Sequence, residues 1–389
     1  MLMRKLRTMS SGSRGRQIKV LHLIPSLRPE TGGPASSVPA LCWAQACLGA
    51  NARLVVADDS ASSYDVPVAH IPARAWLFRS GLPWRGSAIY HVHGLWNPFS
   101  TWGMWRLRRC GVAYIVSPRG MLRPEAIQCG RKRIWAALWE RKNLTSASAV
   151  ILSSEDELEA AKACGWDLAR VAIIPNPVVM DRWSREAKGG DQSSEATGNT
   201  IVFVGRMSKV KRIDLLIRAF PLVKKEVPNA VLKIVGPDWE GIRSKLETLC
   251  SVLGVERSVH FLGMKTQGEL VEVFQTATVV ALVSSRESFG MAAAEAMASG
   301  IPVVLTKHVG IAAEAEQAGA AIVVRDTPDD MARGLVTILR RVAVREVMSK
   351  AARAFAETNF GAAVVAERSL QLYQSVLNGN ARAPQPAQG

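Results

Sequence analysis

The sequence predicts two successive α/β domains, each a doubly wound parallel sheet. Short apolar, β-branched runs ending in glycine or serine alternate with helical patterns along both halves of the chain. That alternation marks strands joined by crossover helices. A polar segment without period, WSREAKGGDQSSEATGN (183–199), separates two such series and reads as an interdomain linker. The length, 389 residues, is enough for two domains that each bury a core.

The first domain is expected over 17–182. QIKVLHLIPSL (17–27) reads as its first strand, followed by a glycine turn and helix in TGGPASSVPALCWAQACLG. RLVVA (53–57), SAIYHVHG (87–94), VAYIVSPRG (112–120) and AVILSS (149–154) read as further strands, with RKRIWAALWERKNLTSA and EDELEAAKACG as helices. The second domain is expected over 200–355. Its strands are TIVFVGR (200–206), VLKIVG (231–236), VHFLG (259–263), TVVALVSS (278–285), IPVVLT (301–306) and AAIVV (320–324). Two helices close the chain, and 378–389 reads as a frayed tail. A polar hinge between two such domains implies a cleft.

Composition narrows the class. Six scattered cysteines without a C-x-x-C pair suggest neither a disulfide frame nor a zinc site, and a reduced cytoplasm is the simplest setting. The basic start, MLMRKLRTMSSGSRGRQ, lacks the apolar stretch of a secretory signal, and nowhere do about 18 apolar residues run together. The net charge of +16 is lopsided: residues 1–190 hold 26 Lys and Arg against 13 Asp and Glu, the remainder 23 against 20. Such an excess points to an anionic partner, a membrane surface or nucleic acid. A merely solvated basic face is the plain alternative.

Chemistry concentrates in the second half. In FVGRMSKVKRIDLLIRAF, Arg206 stands at a strand end and Lys211 just before an amphipathic helix. Two cations at the mouth of a parallel sheet suit a diphosphate. ESFGMAAAEA places the free N–H groups of a helix start near Gly290 in the same mouth, where they favour an anion. Glu295 lies five residues into that helix, roughly 7 Å along at about 1.5 Å per residue, a fitting reach from a phosphate to a ribose. Glu287, on the other side of the helix start, is expected to meet sugar hydroxyls.

VGRMSKVKRIDLLIRAF, LKIVGPD, VHFLGMKTQGELVEVFQTA and SSRESFGMAAAEAMASGIPVV resemble the carboxyl-terminal domain of the retaining glycosyltransferases of family four, which have the GT-B fold: two Rossmann-like domains facing each other across a cleft. The E-x7-E pattern, Glu287 and Glu295, is that family's hallmark, and Arg206 with Lys211 match its basic pair. The resemblance covers about residues 18–376. It implies transfer of a sugar from a nucleotide diphosphate sugar with retention of configuration, without a cofactor or essential metal. Arg206, Lys211 and Glu287 are the implied catalytic residues. Gly32, Gly33, Ser288, Phe289, Gly290, Met291 and Glu295 are the implied donor-binding ones. A last helix, 356–377, would cross back onto the first domain. IPNPVVMDRW resembles the interdomain P-N-G-V-D segment, with Asn176 and Asp181 matched and Pro177 in place of glycine.

One departure stands out. Relatives often carry a histidine near the strand end where this chain has Ser117-Pro118-Arg119, so Arg119 becomes the candidate cation facing a phosphate or the acceptor. The S-P-R-G run resembles a branch tied to exopolysaccharide and lipopolysaccharide assembly. His91 and His93 are read as facing opposite sides of a strand with no third ligand nearby, so no metal site is expected. His91 is expected to be buried and hydrogen-bonded, and His93 to be an acceptor-side candidate.

The expected product is therefore a surface-polysaccharide glycosyltransferase acting on a glycan or lipid-linked acceptor, cytoplasmic or peripheral on the inner face of the plasma membrane. WRLRR and RIWAALWERK are its candidate interface segments. Rival readings are a nucleotide-sugar epimerase or phosphorylase on the same fold, and a basic membrane- or nucleic-acid-binding protein without catalysis. Nucleic acid is disfavoured, because aromatic and basic residues are not interleaved for base stacking. A nicotinamide dehydrogenase would need G-x-G-x-x-G after the first strand, which TGGPASS does not supply.

Overall fold

The structure, a computed structural model, describes residues 17–78, 88–123, 130–166, 168, 170–183 and 198–379. The chain divides into two compact units. One comprises the residues up to Pro177 together with those from Gly361 onward; the other is Val178–Phe360.

The first unit is built on β1 (Lys19–Ile24), β2 (Asn51–Val56), β3 (Val68–His70), β4 (Ala88–His93), β5 (Tyr114–Ser117), β6 (Ala149–Leu152) and β7 (Val171–Ile173). They form one sheet in the order β3-β2-β1-β4-β5-β6-β7, parallel throughout. The second unit uses β8 (Thr200–Val204), β9 (Val231–Val235), β10 (Val259–Gly263), β11 (Val279–Leu282), β12 (Val303–Thr306) and β13 (Ala321–Val324). Their order is β10-β9-β8-β11-β12-β13, again parallel. Each is a doubly wound sheet that reverses direction at one switch point, β1/β4 in the first unit and β8/β11 in the second. Ligands of such sheets bind beyond the carboxyl ends at that point.

Burial explains the strand composition. Central strands are covered on both faces, so they carry unbroken aliphatic runs such as Val279–Leu282, whose members are at most 1% exposed. The helix Met291–Ala298 lies directly behind the second switch point. Its Ala293, Ala294 and Ala296 are fully buried, and small side chains let the backbone approach the sheet closely. β8 and β9 end in a similarly tight approach. A Cβ on Gly236, at φ +142°, would stand 2.0 Å from the Gly205 carbonyl oxygen, so only glycine fits there.

Several boundaries differ from the sequence reading. The first unit ends at Pro177 rather than 182, because the Val178 N–H donates to the Phe360 carbonyl (2.7 Å) and Trp183 is buried against Phe274 in the other core. The helix expected over 356–377 is broken at Gly361. Val342–Phe360 belongs to the second unit, whereas Ala362–Leu377 packs on Gly33–Cys47 in the first. β3 and β7 were not foreseen: each has three residues at a sheet edge, too short for a periodic signal. The helix expected from RKRIWAALWERK contains a π turn at Ala136–Glu140. Most of the expected linker and the tail beyond 379 lie outside the described residues. Among the described residues no helix is long and apolar enough to cross a membrane.

Candidate active site at the second switch point

At the carboxyl end of β8 the chain runs through Gly205 and Arg206 into a short 3-10 turn, Lys209–Lys211, and then into the helix Ile213–Glu226. Arg212, left-handed at φ 43°, makes that junction. The Lys211 stem lies over the bare backbone of Gly205, 3.5 Å from where a Cβ would be. From the neighbouring strand, β11, the loop Val283–Gly290 comes alongside. The Ser285 N–H (2.9 Å) and hydroxyl (3.2 Å) both donate to the Val210 carbonyl, which joins the two loops. Lys211 Nζ then forms an ion pair with Glu287 Oε2. Both side chains are about four-fifths buried, at 17% and 21% exposure, so the pair is sheltered from much of the screening that weakens surface pairs.

Glu287 is held from behind as well. Its N–H donates to the His308 carbonyl (3.0 Å), and its own carbonyl accepts from the Gly310 N–H (2.8 Å). Gly290 begins the helix Met291–Ala298 in a left-handed conformation, φ +103°. A Cβ there would meet Val309 Cγ1 at 2.7 Å, so the closeness of the tip to its neighbouring loop requires glycine. The Gly290 carbonyl accepts from Ala293 and Ala294 (3.0 Å each). That leaves the Met291 and Ala292 N–H groups at the half-exposed helix start without an intrahelical acceptor. Lys211, Glu287 and the helix tip therefore share one mouth. Arg206 is at the same sheet edge but exposed, its guanidinium 4.7 Å above the Trp239 ring on the β9 side.

Glu295 sits one turn into the helix. Burial pushes its carboxyl up to about 8, and among the described residues no donor reaches it. Phe289, expected among the donor contacts, turns its side chain into the core. Its ring is 2% exposed and packs edge-on against Phe360 (5.2 Å), so only its backbone faces the mouth.

The first unit holds a second cluster at its own switch point. His22 on β1 pairs in register with His91 on β4, and all three of His22, His91 and His93 are at most 1% exposed. His91 is hydrogen-bonded as expected, to the Tyr373 hydroxyl (2.6 Å) and Ser117 Oγ (2.7 Å). Two expectations are corrected. Residues two apart share a face of a strand, so His91 and His93 do not diverge; their ring centroids are 4.0 Å apart. His93 is also no free acceptor-side group, because both its ring nitrogens are engaged, by His22 (3.0 Å) and by Arg119 (3.0 Å). Arg119 is half-buried and left-handed at φ 57°, and it also donates to Asn176 Oδ1. Gly32, at φ +88°, and Gly33 open the helix Gly33–Cys47 after β1, with open space beside Gly32.

Two family models match the chain. Residues 184–355 match "Glycosyl transferases group 1" and residues 32–177 match "Glycosyl transferase 4-like domain". The chain thus carries a glycosyl transferase 4-like domain followed by a group 1 glycosyl transferase domain. The family's curated relatives include the D-inositol 3-phosphate glycosyltransferases of Corynebacterium urealyticum (29% identical over 255 residues, 61% of this chain and 59% of the relative) and Nocardia farcinica (28% over 258 residues, 61% and 55%). The matched stretch thus spans less than two thirds of those relatives. Among solved structures, HepE of Anabaena in complex with UDP and glucose superposes with a TM-score of 0.71 at 19% identity, covering 92% of this chain and 99% of that one. Sucrose-phosphate synthase of Thermosynechococcus elongatus superposes at 0.76 and 20%, covering 94% and 100%. At such identities the likeness shows the fold, that of GT-B proteins with two parallel-sheet α/β units.

Sequence reasoning missed His22, Gln45, Ser369 and Tyr373. The one local signal was a histidine inside the otherwise aliphatic first strand, KVLHLI. A polar group at that place must find a partner.

Proposed function

We propose that this chain transfers a sugar from a nucleoside diphosphate sugar to an acceptor hydroxyl with retention of configuration. The observation that carries the reading is the Lys211–Glu287 pair beside the free amides of the helix tip at Gly290. A diphosphate leaving group gains negative charge as the glycosidic bond breaks. Lys211, Arg206 and the Met291 and Ala292 amides would take up that charge, a task that needs no metal here. Glu295, without a donor of its own, suits a ribose diol, and Glu287 would steady Lys211 and accept from the sugar. Ser288 and Met291 would line the approach; Gly32 and Gly33, at the start of the helix after β1, would offer amides to an anion. The buried carboxylates of the first unit, Glu140 and Glu157, already accept from Thr101 and from Ser153 and Gly120. A same-face transfer, in which the leaving phosphate takes the acceptor proton, therefore fits better than a covalent intermediate.

The test is incubation with UDP-glucose and other nucleotide sugars, following melting temperature and nucleotide release. A donor that raises the melting temperature and is consumed only with a hydroxyl acceptor supports transfer. Consumption without acceptor favours the epimerase or phosphorylase reading, and no shift with any donor removes the whole proposal.

The proposed setting is surface-polysaccharide assembly at the cytoplasmic face of a membrane, on a glycan or lipid-linked acceptor. A specific surface favours the membrane. On the segment Gly130–Thr145, Ile134 and Leu138 are 63% and 67% exposed one turn apart, beside Arg133, Arg141 and Lys142. The segment's one acid, Glu140, is wholly buried. An exposed aliphatic pair whose exposed charged neighbours on this segment, among the described residues, are cations fits an anionic lipid surface. Binding to phosphatidylglycerol vesicles at low salt should be weakened by salt and by Leu138→Glu. Equal binding to neutral phosphatidylcholine vesicles would reject it.

A further inference from the structure

The buried histidines carry a directional argument. Gln45 Oε1 can only accept, so its 2.8 Å contact makes His22 Nε2 a donor. A neutral ring has one N–H, so His22 Nδ1 accepts, and the 3.0 Å contact makes His93 Nε2 the donor to it. His93 Nδ1 is then bare and accepts from Arg119 Nη2 at 3.0 Å; a guanidinium can do nothing but donate. At the other end the Gln45 amide donates to Ser369 Oγ (2.7 Å), and that hydroxyl donates to the Ala366 carbonyl (2.7 Å). The row runs one way, from Arg119 through His93, His22, Gln45 and Ser369 to a carbonyl. Both ends are groups that cannot reverse. Burial keeps the rings neutral as this requires, with His22 lowered to about 4 and His91 and His93 well below the usual range.

The same accounting decides against a metal. The three rings bring nitrogen atoms within 4.8 Å of one another, close enough to share an ion. A ring bound to a metal through Nε2 donates from Nδ1 to an acceptor. His93 Nδ1 faces a guanidinium instead, so the cluster is a hydrogen-bonded row. Arg119, meanwhile, has no carboxylate in ion-pair contact among the described residues, and its Nε finds no partner. Glu157, the carboxylate whose charge acts most on Arg119, spends its oxygens on Gly120 N–H and on Ser153.

We infer that His93, His22 and Gln45 are positioning residues that present a bare imidazole nitrogen to Arg119, fixing its guanidinium at the carboxyl end of the first sheet as a cation for a phosphate group. The assignment of that phosphate to the acceptor rests on the transferase reading above.

The experiment uses the full chain with ¹⁵N-labelled histidine at neutral pH. His22 and His93 are expected to carry their proton on Nε2, and added zinc is expected to leave all three buried rings unchanged. A proton on His93 Nδ1, or a zinc shift at these rings, overturns the row. In Gln45→Glu the carboxylate favours a doubly protonated His22, whose Nδ1–H forces the His93 proton onto Nδ1, against Arg119. That variant should bind inorganic phosphate at least about tenfold more weakly, as Arg119→Ala should, and the double variant no more weakly than Arg119→Ala alone. Phosphate binding unaffected by Arg119→Ala overturns the cation's role, whatever the tautomers. D-inositol 3-phosphate as probe separates the sources. Tighter binding than inorganic phosphate supports a phosphorylated acceptor, and equal binding confines the site to free phosphate and rejects the acceptor assignment while leaving the row standing.

Discussion

At the switch point between β8 and β11, Lys211 and Glu287 form an ion pair on loops held together by backbone hydrogen bonds, beside a helix tip. At the corresponding place between β1 and β4, neutral imidazoles are packed out of water and hold a cation, Arg119, that no carboxylate pairs with among the described residues. The two sheets share a strand order, so topology places a site in each. Side chains then make one a half-exposed charged mouth and the other a dry neutral row. The first arrangement can meet a multiply charged leaving group. The second holds one cation through hydrogen bonds to neutral groups, with no carboxylate in contact among the described residues.

The largest expected effect breaks the charged side. Lys211→Ala should lower nucleotide-sugar turnover by about 10²–10³-fold, the usual loss when a stabilising donor is removed from a developing anion. Nucleotide release within a few-fold of the parent would dissolve the contrast.

Next comes the rigidity of the helix tip. Gly290→Ala places a methyl against Val309 in a left-handed backbone and should cost about 1–3 kcal/mol in denaturant unfolding. Unchanged stability would show that the tip yields, and that the amides are not preset.

The neutral side is probed by Tyr373→Phe. The hydroxyl lies between His91 Nδ1 and the Gln45 amide in a fully buried position, so its removal should cost about 1–3 kcal/mol, the penalty for leaving buried polar groups unpaired. A variant that melts with the parent would mean that water or repacking replaces it.

The subtlest test concerns Glu295. Its carboxyl is raised by burial to about 8 from an ordinary 4.5, so the folded chain keeps a proton that the unfolded chain gives up. The stability this provides is complete below the ordinary value and is lost as pH rises through about 8. Melting temperature should fall over that range, and Glu295→Gln should flatten the fall. A parallel decline in both proteins would exclude Glu295 as its source.

The charged mouth was legible because its parts are local. Arg206 and Lys211 follow one strand, Glu287, Gly290 and Glu295 follow another, and a strand-to-helix loop already implies the carboxyl edge of a sheet. Where the Phe289 ring goes was not legible, because an aromatic in such a loop reads the same whether it faces ligand or core; its packing on Phe360 distinguishes them. The histidine row was illegible for a different reason. Gln45 and Ser369 lie 324 residues apart, and no spacing rule joins a first helix to a last one.

From the residues alone came the strand–helix alternation, the two domains and the acids and cations at one sheet mouth, because aliphatic runs and loop charges act within a few residues of themselves. Tertiary structure decided which histidines meet, which nitrogen of each bears the proton, and where the last helix changes units. Those outcomes depend on pairing between distant strands and on the exclusion of water, which leaves each buried polar atom only the partner packing supplies.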